Sequence, residues 1–206
     1  MYKTEQENFW KGEFGTEYIK RNREEVFLSS GIAFWSSALS KTNGIHSCLE
    51  LGSNIGLNLK AIKRLSPAMR FGAVEINDSA VQIMQNDPDL DVKIYHDSIL
   101  EAKIEETYDL TFTSGVLIHI NPNELNNVYK KLYDYSLKYI LIAEYYNPTP
   151  VEVSYRGHAQ RLFKRDFAGE FMDLYPDCTL EDYGFIYHRD NNFPMDDLTW
   201  FLMRKQ

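Results

Sequence analysis

Five short apolar runs alternate along this chain with segments of helical period, and that alternation leaves few folds open. The runs fall at 46–51 (HSCLEL), 70–75 (RFGAVE), 92–95 (VKIY), 109–113 (DLTFT) and 138–143 (KYILIA). Between them lie helical segments at 56–66 (GLNLKAIKRLS), 78–85 (DSAVQIMQ) and 122–136 (PNELNNVYKKLYDYS). Strands joined by crossover helices form βαβ units, whose right-handed connections give a parallel sheet with helices on both faces. Two further apolar runs, 179–187 and 198–203, are separated by a turn-rich stretch, DNNFPMDD, too short for a crossover helix. They are predicted to pair as an antiparallel hairpin on the edge of the sheet. Ahead of the alternation, residues 24–41 set Val26, Phe27, Ile32, Phe34, Trp35 and Leu39 along one helical stripe. The first 25 residues read as one or two short helices. No repeat, low-complexity tract or linker divides the chain, so residues 1–206 are expected to form one α/β domain.

No run approaches the roughly 18 uninterrupted apolar residues that a membrane helix needs. The N-terminus, MYKTEQENFWKGEFG, carries charges where a signal peptide would be apolar, so a cytoplasmic location is expected. Cys48 and Cys178 are 130 residues apart and match no metal-binding spacing, and no His/Cys/Asp cluster is spaced to hold a metal. The net charge of −8 repels a polyanion over most of the surface, so no nucleic-acid partner is expected. One stretch runs against that sign: Arg156, Arg161, Lys164 and Arg165 fall within ten residues.

The richest segment is Glu50-Leu51-Gly52-Ser53-Asn54-Ile55-Gly56, in which a strand ends in a carboxylate and a glycine-spaced turn opens a helix. Gly52 lets the backbone turn without a Cβ, and Gly56 lets the helix start close against the sheet. Such a loop is either a tight turn that binds nothing or a ligand cradle at the carboxyl end of a strand. A phosphate-binding loop would end in Gly-Lys-Ser/Thr, and this one continues Leu57-Asn58. A nicotinamide loop usually has a third glycine three residues on, which is missing here, as is any Tyr-x-x-x-Lys pair. Glu50 is placed to meet a cationic amino-acid ligand. Glu75, which ends the second strand nineteen residues after Gly56 and precedes Ile76, can accept both hydroxyls of a ribose. Asp97-Ser98 follows the third strand, where an aspartate can bond an adenine amino group. Three acids at successive strand ends suit a neutral nucleoside joined to a sulfonium amino acid, and suit phosphates poorly because like charges repel.

The loop resembles the E/D-x-G-x-G-x-G segment of class I S-adenosylmethionine-dependent methyltransferases, with Asn54 in place of the middle glycine. An asparagine tolerates unusual backbone angles, so the turn need not change. The resemblance implies a Rossmann-like, seven-stranded, mostly parallel sheet ending in an antiparallel hairpin, and S-adenosyl-L-methionine as cofactor. Ser114 and Gly115, in SGVLIHI, would lie beneath the methionine part of that cofactor. His119, just beyond, is either a helix-capping or core histidine, or a general base or substrate ligand.

After the fifth strand, Pro148 and Pro150 halt regular structure, and Arg161–Phe171 is expected to restart as a helix. A segment this long is usually functional, and 146–175 reads as a substrate loop and helix. Its charges are either solvated surface or, as Arg156, Arg161, Lys164 and Arg165, the holders of an anionic acceptor. Tyr146 and Tyr155 are candidates to line the acceptor pocket, and His158 is a second candidate base. Together with FWKGEFGTEYIKRN (9–22) and SGVLIHINPNEL (114–125), the stretch AEYYNPTPVEVSYRGHAQRLFKRDFAGE (143–170) resembles methylases associated with pseudaminic acid biosynthesis. That likeness implies methylation of a small anionic acceptor, a nonulosonic acid-type sugar or nucleotide sugar. Residues 1–42, with Trp10, Tyr18, Arg21 and Asn22, form either a lid over the cofactor or an amphipathic docking segment. The competing readings are a non-catalytic S-adenosylmethionine-binding protein and a carboxyl methyltransferase on another small acid.

Overall fold

The computed structural model describes residues 2–21 and 24–206. Asn22, and the side chain of Val26, lie outside the described residues. The elements are α1 (Glu5–Lys11), α2 (Glu13–Ile19), α3 (Glu24–Ala38), β1 (Ser47–Leu51), α4 (Leu57–Leu65), β2 (Arg70–Glu75), α5 (Asp78–Gln85) and β3 (Val92–His96). They continue with β4 (Tyr108–Ser114), a 3-10 turn (Leu117–His119), a second 3-10 turn (Pro122–Glu124), α6 (Leu125–Asp134) and β5 (Ser136–Glu144). A hairpin of β6 (Val151–Tyr155) and β7 (His158–Lys164), then α7 (Phe167–Leu174), β8 (Cys178–Phe185) and β9 (Thr199–Lys205), close the chain.

Local chemistry fixes the helix starts. Thr4 and Glu7 form a reciprocal capping box at α1. The Asn77 side chain accepts from Ser79 N and Ala80 N at α5, and Asp166 accepts from Gly169 N at α7.

The main sheet has seven strands in the order β3-β2-β1-β4-β5-β9-β8. β3 through β5 run parallel, while β9 is antiparallel to both β5 and β8. This is the expected architecture, C-terminal hairpin included. Thr199 pairs with both Glu144 and Phe185, so the β8–β9 connection emerges at the edge where the parallel strands end. Alternate strand residues feed two cores. Cys48, Leu110, Phe112, Leu141 and Leu202 pack with Phe34, Trp35, Leu59 and Ile62 of α3 and α4 on one face. Leu49, Leu51, Ile140, Ile142 and Met203 pack with Leu125, Val128 and Leu132 of α6 and Phe167 and Phe171 of α7 on the other. Each such side chain contributes roughly 1.5–3 kcal/mol by leaving water.

One expected element is corrected. Residues 161–171 are not a continuous helix: through Lys164 they are strand, and the helix begins only at Phe167. The reason is local. Arg156 and Gly157 both take positive φ, 51° and 86°, as a two-residue hairpin turn demands, and this folds β7 back on β6 as a separate two-stranded sheet. Among the described residues no helix is long and apolar enough to cross a membrane.

Candidate active site

A cavity of about 710 Å³ opens at the carboxyl edge of the parallel strands. Its floor is the β1–α4 loop (Glu50, Gly52, Ser53, Asn54), the end of β2 (Glu75, Ile76), Ser98 after β3, and Ser114 and Gly115 at the end of β4. Its roof has three parts: Trp10, Tyr18 and Arg21 from the N-terminal segment, Tyr155 and Arg156 from the hairpin, and His188, Met195 and Asp196 from the β8–β9 loop.

The β1–α4 turn is left-handed at Gly52 (φ 83°), Asn54 (φ 48°) and Gly56 (φ 77°), so Asn54 takes the conformation a middle glycine would take. Two of these positions also exclude side chains for packing. A Cβ on Gly52 would lie 2.8 Å from a Val116 methyl, and one on Gly56 would lie 2.6 Å from Leu90 Cδ2. Glu75 helps to set the turn: its two oxygens accept from Asn54 N and Asn77 N, both at 2.7 Å. Gly115 differs, with φ 67° and nothing within 4 Å of where a Cβ would stand, so its backbone presents open space to the cavity.

Glu50 is 1% exposed. Its Oε1 accepts from Asn58 Nδ2 at 2.7 Å, and Asn58 Oδ1 in turn accepts from Trp35 Nε1 at 3.1 Å. Its Oε2 has no hydrogen-bond partner among the described residues. Burial, reinforced by the nearby Glu75 charge, holds the Glu50 carboxyl well above the usual carboxylate range. A buried carboxylate with one oxygen unmatched is a site that a cationic group would complete.

His119 is buried between the rings of Trp10 and Tyr155, with centroids at 4.6 and 4.9 Å. Its Nδ1 lies 2.6 Å from the Arg161 carbonyl oxygen. A carbonyl only accepts, so Nδ1 carries the proton and Nε2 is the accepting nitrogen. Burial pushes its pKa down to about 4, so the ring is neutral at neutral pH.

The remaining expected residues divide. Tyr18, Arg21, Tyr155 and Arg156 line the cavity. Burial pushes the Tyr18 hydroxyl up to about 12. Asp97 lies beside Ser98 without lining the cavity, and its Oδ1 accepts from Ser98 N at 2.8 Å. The Ser98 hydroxyl donates to Glu7, tying α1 to the floor. Tyr146, His158, Arg161, Lys164 and Arg165 lie outside the cavity lining, each with a visible occupation. Arg161 donates to Glu5 (3.1 Å) and to the Gln160 carbonyl (3.0 Å) and stacks over Phe9. Lys164 sits over the Tyr145 ring, and Arg165 pairs with Glu170 at 2.6 Å. His158 packs edge-on against Phe9, and Tyr146 is exposed, bridged to Arg165.

Two groups went unread in the sequence. Glu144, at the end of β5, accepts from Val116 N and Leu117 N at 3.0 Å and so pins the turn that carries His119; burial pushes its carboxyl up to about 7. The β8–β9 loop supplies His188 and Asp196, and the only signal of it was a histidine and an Asp-Asp pair inside a turn-rich stretch.

No protein-family model matches the chain, and no curated protein sequence matches it. Solved structures do. The chain is similar to an S-adenosylmethionine-dependent methyltransferase from Clostridium acetobutylicum ATCC 824, at 11% identity and TM-score 0.65 over 93% of this chain and 97% of that one. It is similar to the plantazolicin methyltransferase BpumL in complex with SAH, at 12% identity and TM-score 0.68 over 98% and 94%. It is also similar to the glycopeptide N-methyltransferase MtfA complexed with sinefungin, at 9% identity and TM-score 0.65 over 87% and 94%. The chain therefore has the Rossmann-like fold found in these methyltransferases.

Proposed function

We propose that the protein is an S-adenosylmethionine-dependent methyltransferase acting on a small anionic acceptor. The observation that carries this reading is the pair of buried carboxylates, Glu50 with an unpartnered oxygen and Glu75, on the floor of one cavity beside the open backbone of Gly115. That set fits the cofactor: Glu50 would receive its ammonium, Glu75 its ribose hydroxyls, and Ser98 would border its adenine, with Asp97 behind it, outside the cavity lining. When bound, the cofactor supplies an electrophilic methyl group on a sulfonium. The protein's task is then to align an acceptor with that methyl and exclude water. Exclusion falls to the N-terminal helices and the hairpin, whose aromatic side chains close over the floor. His119, held neutral, offers Nε2 as a hydrogen-bond acceptor that orients the substrate.

Arg21 and Arg156 line the same cavity and support an acceptor bearing a carboxylate or phosphate. The sequence likeness to methylases associated with pseudaminic acid biosynthesis supports a nonulosonic acid-type sugar among such acceptors. BpumL and MtfA, by their names, act on plantazolicin and on a glycopeptide, so a peptide acceptor is the second reading. Screening acidic sugars and short peptides for methyl transfer separates the two: methylation of acidic sugars, weakened by R156A, supports the proposal, and methylation of peptides alone refutes the sugar assignment.

A further inference from the structure

The β8–β9 loop brings a histidine and a carboxylate together at the cavity. His188 Nδ1 lies 2.8 Å from both Asp197 carboxylate oxygens, and His188 N donates to Asp197 Oδ1 at 2.9 Å. The pair is built, not incidental. Ile186 N donates to the Leu198 carbonyl at 2.8 Å, continuing the β8–β9 ladder up to the dyad. Beyond it, Asp190 accepts from Asn192 N and Phe193 N and closes the turn. His188 lines the cavity together with Tyr145, Tyr155 and Arg156, on the side of the roof away from Glu50 and Glu75 in the sheet order.

We infer that His188, oriented by Asp197, is the group that takes the proton from the acceptor during methyl transfer; this rests on the methyltransferase reading above. A carboxylate at Nδ1 requires the proton there and leaves Nε2 as the basic nitrogen. The acceptor's hydroxyl or amine proton would pass to Nε2, leaving the electron pair on the acceptor atom for its bond to the methyl carbon. The sulfur–methyl bond would break with its pair kept by sulfur as a neutral thioether, and the resulting imidazolium is stabilised by the Asp197 charge. His119 lacks that support. Its Nδ1 faces a carbonyl, and a proton on its Nε2 would create a buried cation between two rings. The His188 side chain is 54% exposed, so its proton returns directly to water.

Nitrogen-15 NMR of the histidine rings tests this in the protein alone. Neutral His188 is expected as the Nδ1–H tautomer in the wild type and to shift toward Nε2–H in D197N. An Nε2–H tautomer in both overturns the inference. H188Q and D197N are then compared with wild type for S-adenosylhomocysteine (SAH) binding and for methyl transfer to N-acetylneuraminate as probe. Unchanged SAH affinity with kcat lowered about 100-fold or more in H188Q supports the assignment. Wild-type turnover in H188Q overturns it, and its loss in H119Q would then transfer the role to His119. If the probe is not turned over, the tautomer alone decides. Failure of the wild type to bind SAH instead refutes the methyltransferase reading and leaves the tautomer result standing.

Discussion

Asn54 stands in the left-handed region at φ 48°, where glycine is at ease and alanine is strained. N54G is therefore expected to unfold in urea close to wild type, and N54A to be weaker by about 1–2 kcal/mol. Equal losses in both would mean that the asparagine side chain, not the backbone, holds the turn. Glu75 holds that turn, and the proposed function gives it a second task, receiving ribose. E75A should weaken SAH binding by ~1.5–3 kcal/mol, the worth of hydrogen bonds to a charged group, as read by calorimetry. Unchanged affinity would remove Glu75 from the site. Glu144 governs a pH dependence. Its folded carboxyl titrates near 7 against an ordinary 4.5. Its contribution to stability is thus fully present below pH 4.5 and lost as pH rises through about 7. His119 works in the opposite sense: its folded value of about 4 against 6.5 means its stabilisation is present above pH 6.5 and lost as pH falls toward 4. E144Q should remove a fall of on the order of 3 kcal/mol between pH 4.5 and 7.5 in denaturation series. An E144Q profile parallel to wild type would contradict the buried, protonated state.

At the scale of elements, α1, α2 and the β6–β7 hairpin interlock over the cavity. The Asn77 amide donates to the Trp10 and Lys11 carbonyls at the α1–α2 corner, and Gln6 donates to the Gln160 carbonyl at the hairpin. The corner depends on Gly15, since a Cβ there would lie 1.8 Å from the Trp10 carbonyl oxygen. G15A should therefore open the corner and weaken SAH binding at least several-fold, with the urea-unfolding slope of the main sheet unchanged. Wild-type affinity in G15A would show that the N-terminal segment docks without covering the site. The sequence disclosed this region only in part. The aromatic residues in 9–18 left a lid and a docking segment equally open, whereas Arg161 and Lys164, expected on a helix, lie on β7, from which Arg161 holds α1 through Glu5 and Phe9. A positive-φ Arg-Gly turn decides that, and an arginine gives little warning of it.

For the whole molecule, the strand order and the site floor were legible because both are written locally. Apolar runs of strand length, separated by helical segments, specify the parallel sheet, and its topology puts Glu50, Glu75, Ser98 and Gly115 at one edge. The third wall of the site was not legible. The β8–β9 loop reaches that edge only because β9 runs antiparallel to β5, bringing the loop beside the β5 end at Glu144 and into the cavity that Glu50 and Glu75 line. Long-range pairing of this kind leaves no mark in the loop's own composition.

The central claim, a sulfonium-nucleoside site built on Glu50 and Glu75, is tested most directly by calorimetric titration with S-adenosylmethionine and SAH, with NADH and ATP as controls. Micromolar binding of the first two alone, reduced in E75A, is the predicted result. Absence of binding by either, or equal binding of NADH or ATP, would contradict it.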